Sequence, residues 1–213
     1  MSTAKFYNER MVEDHAADLL RRFCTLTGVP PTLPVPIERV AEDPCDLGIL
    51  WEPIPEGVGR TTLAALRPAE RLVVFNETRR LLFDDTPFLY ITVLAHEVGH
   101  WLLHVDRALL DQPALPGFAP ADLSVHRHDP DSWQERHAKW FASHLLLPRH
   151  LLAELLVGRE IHSFADMYRL RDHCQVTLTV MRIALEQMGR GYVDEDGQVH
   201  PSRQEYHGQQ RLD

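Results

Sequence analysis

The chain is poor in cysteine. Cys24, Cys45 and Cys174 are the only three in 213 residues, they lie far apart, and no C-x-x-C pair occurs. That excludes a disulfide framework and a thiolate zinc site, and it points to a reducing compartment. Long hydrophobic runs are missing too. The longest, Phe88 to Ala95, is broken by Thr92 and is far too short to span a bilayer. Met1 to Arg10 is polar and has no apolar signal core, so the expected location is the cytoplasm, with no membrane partner. Positive charge is in deficit: 22 Lys and Arg stand against 31 Asp and Glu, a net charge of −9. Broad attachment to phosphate backbones needs clustered cations, so direct DNA binding is not expected. Repeats and low-complexity tracts are absent as well.

What is present suits a globular α+β chain, 44% hydrophobic and 25% charged. Apolar residues at Met11, Val12, Ala16, Leu19, Leu20 and Phe23 recur at helical spacing, and Gly28 ends that helix. A proline-rich connector and a short helix over Ile37 to Ala41 follow. Asp46 to Ile54, Arg60 to Arg67 and Leu72 to Asn76 read as three short strands, arranged most simply as an antiparallel meander. Thr86-Pro87 predicts a helix start, with Thr as the N-cap and a helix running from Phe88 to about Val105. Asp111 to Asp131, with four prolines, reads as a long loop. Helices over Ser132 to Leu147, His150 to Val157, Ser163 to Cys174 and Thr177 to Met188 come next. Gly189 to His200 then reads as a hairpin turning at Asp196-Gly197. The expected organisation is a main domain over residues 1–160, a helical appendage with a hairpin over 161–200, and a polar tail over 201–213.

One stretch carries chemistry. Leu94 to His104 reads L-A-H-E-V-G-H-W-L-L-H, and His96-Glu97-Val98-Gly99-His100 is an H-E-x-x-H sequence. On a helix, side chains four apart share a face about 6 Å apart along the axis, so two imidazoles can grip one metal ion. Glu97 then stands beside them as a base. Ala95 and Gly99 leave room for another backbone. Catalytic zinc takes a third protein ligand and keeps one position open. His104 is an unsuitable third ligand, because it lies about 12 Å from His96 along the same helix. The next long helix offers Glu135, on one face with Ala138 and Ala142. His137 is the alternative on that helix, and His126 and His128 precede it in the loop. For an oxyanion-stabilising group, His126, His128, His150 and Tyr90 qualify by type.

Two separated motifs resemble one family. Glu135 to Pro148, E-R-H-A-K-W-F-A-S-H-L-L-L-P, is similar to the E-x-x-A-N-x-F-A-x-x-L-L-M-P signature of the ImmA/IrrE metallopeptidases. Ile91 to His104 resembles their zinc helix, and Val73-Val74-Phe75-Asn76 resembles the strand before it. Lys139 departs from the signature asparagine, and His137 stands where a second acidic residue is common. The resemblance, over about residues 35 to 160, implies a zincin-like core in which His96, His100 and Glu135 bind Zn2+ and Glu97 is catalytic. It further implies cleavage of a helix-turn-helix repressor or antitoxin-like partner in a stress or mobile-element response. Asp166 to Gly189 is similar to the helix pair that follows the peptidase core there. Only Arg182 stands at the centre of its second helix, which favours packing or partner docking over DNA reading. The rival reading is a zinc-bearing regulatory module that binds a transcription factor without cutting it.

Overall fold

The computed structural model describes residues 6–57, 61–110, 132–204 and 206. The expected loop over 111–131, with His126 and His128, and most of the tail lie outside the described residues.

The first helix, α1 (Glu9–Thr27), is opened by Asn8, whose side chain accepts from the Met11 N–H. It is closed by Gly28 at φ 69°, a left-handed position suited to glycine. Its apolar stripe of Val12, Ala16, Leu19, Leu20 and Phe23 is buried. A short α2 (Ile37–Glu42) leads to β1 (Gly48–Glu52), β2 (Ala64–Arg67) and β3 (Leu72–Asn76). The strands fall where the alternation predicts, but their arrangement corrects the antiparallel meander. The order is β1-β3-β2, with β1 parallel to β3 and β2 antiparallel to it. The physical reason lies in β3. Val73, Val74, Phe75 and Asn76 are all buried, and a strand apolar on both faces belongs between two others. β1 and β2 therefore stand on either side of β3 instead of making a tight hairpin, with residues 53–57 and 61–63 crossing its end.

That crossing is pinned by Asn76, which is fully buried. Its Oδ1 accepts from the Ile54 N–H (3.1 Å), the Thr78 N–H (3.1 Å) and the Thr78 hydroxyl (2.7 Å). Its Nδ2 donates to the Thr62 carbonyl (2.9 Å) and to Glu56 (3.2 Å). Glu56 in turn accepts from both Nε and a terminal nitrogen of Arg79. Removing one side chain here strands several buried polar groups. Asn76→Ala is expected to lower the unfolding free energy by about 2–4 kcal/mol in urea titration, since each orphaned group costs ~1–3 kcal/mol.

After β3 come α3 (Arg80–Asp85) and α4 (Leu89–His104). The Thr86 cap is a second correction. Thr86 follows α3, its N–H bonded to the Leu82 carbonyl, and α4 is preceded by Phe88 in a left-handed conformation with φ 63° and no side-chain cap. A one-turn α5 (Arg107–Leu110) follows. The next helix, α6 (Trp133–Leu146), is capped by Ser132, and Pro148 stands just before α7 (Arg149–Leu155). Then come α8 (Phe164–Cys174), α9 (Leu178–Gln187) and a small hairpin of β4 (Tyr192–Val193) and β5 (Val199–His200).

The core is helical. One face of α6 packs on α4 and another on α1, while α9 also reaches α6 and the sheet meets α4 through β2. Leu94, Val98, Trp101, Phe141 and Leu145 are buried at these seams. Leu152, Met167, Leu170, Val180 and Leu185 continue the same apolar cluster into the C-terminal helices. Each such side chain contributes about 1.5–3 kcal/mol when removed from water. Among the described residues no helix is long and apolar enough to cross a membrane.

Candidate metal centre

α4 and α6 cross at small side chains. Gly99 on α4 faces Ala138 and Phe141 on α6, and Ala95, Ala138 and Ala142 are all buried. This close approach brings the first turn of α6 against the middle of α4. Glu135 is the third residue of α6, its N–H donating to the Ser132 hydroxyl at 3.3 Å. A glutamate at that position of a capping box can reach back to its own N-cap. Here the carboxylate reaches α4 instead. One oxygen lies 3.2 Å from His96 Nε2 and the other 3.1 Å from His100 Nε2.

The two Nε2 atoms are themselves 3.0 Å apart. Ligand atoms of His96, His100 and Glu135 all lie within 4.8 Å of one another, the one such group found among the described residues. Donors bonded at about 2.0–2.1 Å to a tetrahedral zinc are roughly 3.3–3.4 Å apart. The triangle is within a few tenths of an ångström of that size. Two imidazole nitrogens and a carboxylate converging on one point also form a donor set that demands a positive centre. The residues present therefore fit a divalent metal.

The surroundings are graded. The His100 side chain is 3% exposed, whereas His96 and Glu135 are 21% and 20% exposed. One side of the triangle is thus open to solvent. Burial pulls the Glu135 carboxyl upward, but hydrogen bonds from His100 and His96 outweigh it and hold the group well below the usual carboxylate range. Its place in the first turn of α6 adds the positive end of a helix dipole. Glu97 is the opposite case. Its carboxyl is buried and pushed up to about 7, first by desolvation, with His100 opposing and Glu135 adding to the rise. Two carboxylates beside the same imidazoles thus have pKa values driven far apart, a common mark of divided acid–base roles.

The other expected residues sit elsewhere. His137 is buried on a different face of α6, its ring against Phe6, Tyr7, His104, Trp133 and Trp140. His104 belongs to the same seam, stacked on His137 with ring centres 5.5 Å apart and edge-on to Trp133. Tyr90 lies in an aromatic pile with Trp51 and Phe75. Burial and then a hydrogen bond with Glu38 of α2 raise its phenol above the ordinary value. His150 is exposed on the first turn of α7. Tyr7 was invisible to sequence reasoning: it precedes α1 by two residues, and only the folding of α1 onto α6 carries its ring to His137 and His104.

A peptidase family model described as an IrrE N-terminal-like domain matches residues 71–186, a span that runs from β3 through α4 and α6 into α9. No match is found among curated proteins.

Proposed function

Because the chain belongs to the IrrE N-terminal-like peptidase family, we propose that it is a zinc-dependent metallo-endopeptidase that makes site-specific cuts in a protein regulator. The regulator is a helix-turn-helix repressor or antitoxin-like partner, and its loss releases a stress or mobile-element response in the cytoplasm. The observation that carries this reading is the convergence of His96, His100 and Glu135 with the buried Glu97 carboxyl beside them.

In this reading His96, His100 and Glu135 hold the ion. Zinc so bound supplies a Lewis acid that polarises a carbonyl and makes water more acidic. Glu97 receives the proton of the attacking water, and burial suits it to keep that proton until the leaving amine accepts it. His100, the most buried of the three, fixes the inner corner of the triangle, while the exposed edges of His96 and Glu135 leave an approach for an extended peptide. DNA reading by the C-terminal pair is disfavoured, because the N-terminal turn of α9 lies against α4, with the Thr177 and Thr92 hydroxyls 3.3 Å apart. In helix-turn-helix proteins that turn contacts the bases.

The test is to incubate the protein, zinc and a purified helix-turn-helix repressor, and to weigh the products by mass spectrometry. One pair of complementary fragments, lost with chelator, is the expected result. A stable complex with no cut under any zinc condition favours the binding module instead.

A further inference from the structure

We infer that Gly99 is a positioning residue for the metal centre: its missing side chain sets the separation of α4 and α6, and through it the distance of Glu135 from His96 and His100. This inference rests on the metallopeptidase reading. Glycine inside a helix is disfavoured against alanine, yet Gly99 sits in the middle of α4 between the putting-together points of the triangle, one residue before His100. On propensity alone, Gly99→Ala stabilises the helix. The contacts argue the reverse.

A methyl group added at Gly99 lies 3.1 Å from Phe141 Cβ, 3.1 Å from Phe141 Cδ1 and 3.2 Å from Ala138 Cα. Carbon atoms in good contact keep about 3.5–4.0 Å. The ring carbon can rotate away. The other two cannot, because one is backbone and the other is fixed to it. Helix α6 must therefore recede or tilt by a few tenths of an ångström. Ala138 is three residues after Glu135 and faces the same way, so the carboxylate moves with it. The oxygens now stand 3.1 and 3.2 Å from the imidazole nitrogens, and metal–ligand bonds tolerate only about ±0.2 Å. Behind α6 lies α1, which limits how far the helix can retreat without repacking.

The experiment compares zinc(II) and cadmium(II) affinities of the full chain and of Gly99→Ala, by competition with a chromophoric chelator. Cadmium(II) has the same charge and longer bonds, so a widened triangle suits it better. Zinc affinity is expected to fall about tenfold or more, the scale of outer-partner losses, while cadmium affinity falls less and the cadmium-to-zinc ratio rises. If Gly99→Ala does not fold because the ring finds no room to turn, Gly99→Ala with Phe141→Leu removes the ring and keeps the two unyielding contacts, at Phe141 Cβ and Ala138 Cα. Unchanged affinities, or equal losses for both ions, would overturn the spacing role. A parent chain that binds neither ion would instead remove the metallopeptidase reading, and this inference with it.

Discussion

Glu97→Gln is expected to yield a folded protein that still retains zinc and its partner but cuts about 10²–10⁴-fold more slowly, the usual weight of a positioned acid–base group. The amide keeps the shape of the carboxylate and loses its proton affinity. Fragment yield against time, with zinc content measured on the same samples, checks this. The same variant reads out the buried charge. In the metal-free chain the Glu97 pKa is raised from an ordinary 4.5 to about 7, so between those values the folded state binds more proton than the unfolded one. Stability from this group is therefore complete below about pH 4.5 and declines as pH rises through about 7. Thermal midpoints of the metal-free parent should fall between pH 5 and 8 relative to those of Glu97→Gln. A bound dication favours the carboxylate and flattens that slope. Parallel pH curves for the two proteins would contradict the buried-charge account, and normal cutting by Glu97→Gln would remove Glu97 from the chemistry.

Glu135→Ala and His137→Ala should separate as a pair. The first removes one corner of the triangle, so zinc affinity should drop by more than the ~100-fold seen when only outer partners are lost, and the metal-free chain loses the two imidazole contacts that hold this carboxyl low. The second leaves the triangle complete but opens a hole among Phe6, Tyr7, His104, Trp133 and Trp140. It should cost about 2–4 kcal/mol in urea while zinc affinity changes far less. Chelator competition and urea titration on both variants give the four numbers. Zinc loss in His137→Ala with retention in Glu135→Ala would exchange the two roles.

Much of this was legible in the residues. The periodicity of α1 and α6 is strong, and Gly28, Ser132, Ser163 and Thr177 stand where their capping chemistry puts them. His96 and His100 follow from helix geometry alone. Glu135 needed the alanine face of α6, since nothing local turns a capping-box glutamate toward another helix. The sheet order was not legible, because strand signals are local whereas pairing is set by which strand is apolar on both faces. The entry to α4 misled for a related reason. Thr86-Pro87 has the chemistry of a helix start, but the unexpected α3 takes Thr86 for its own end and leaves Phe88 at the threshold. The close approach at Gly99 was legible in its missing side chain, whereas Tyr7 is a tertiary fact with no local signature.

The β1-β3-β2 order also governs how the chain can be made. Among the described residues neither outer strand pairs with the other, and each has β3 as its sole neighbour in the sheet. A nascent chain that has released β1 and β2 but not yet Leu72 to Asn76 holds two strands with nothing to close them. Both display unpaired backbone during synthesis, the state from which strands join the wrong chain. Emergence of β3 closes the inner edge of both strands in one step, and the Asn76 side chain that arrives last on it locks the crossing at its end.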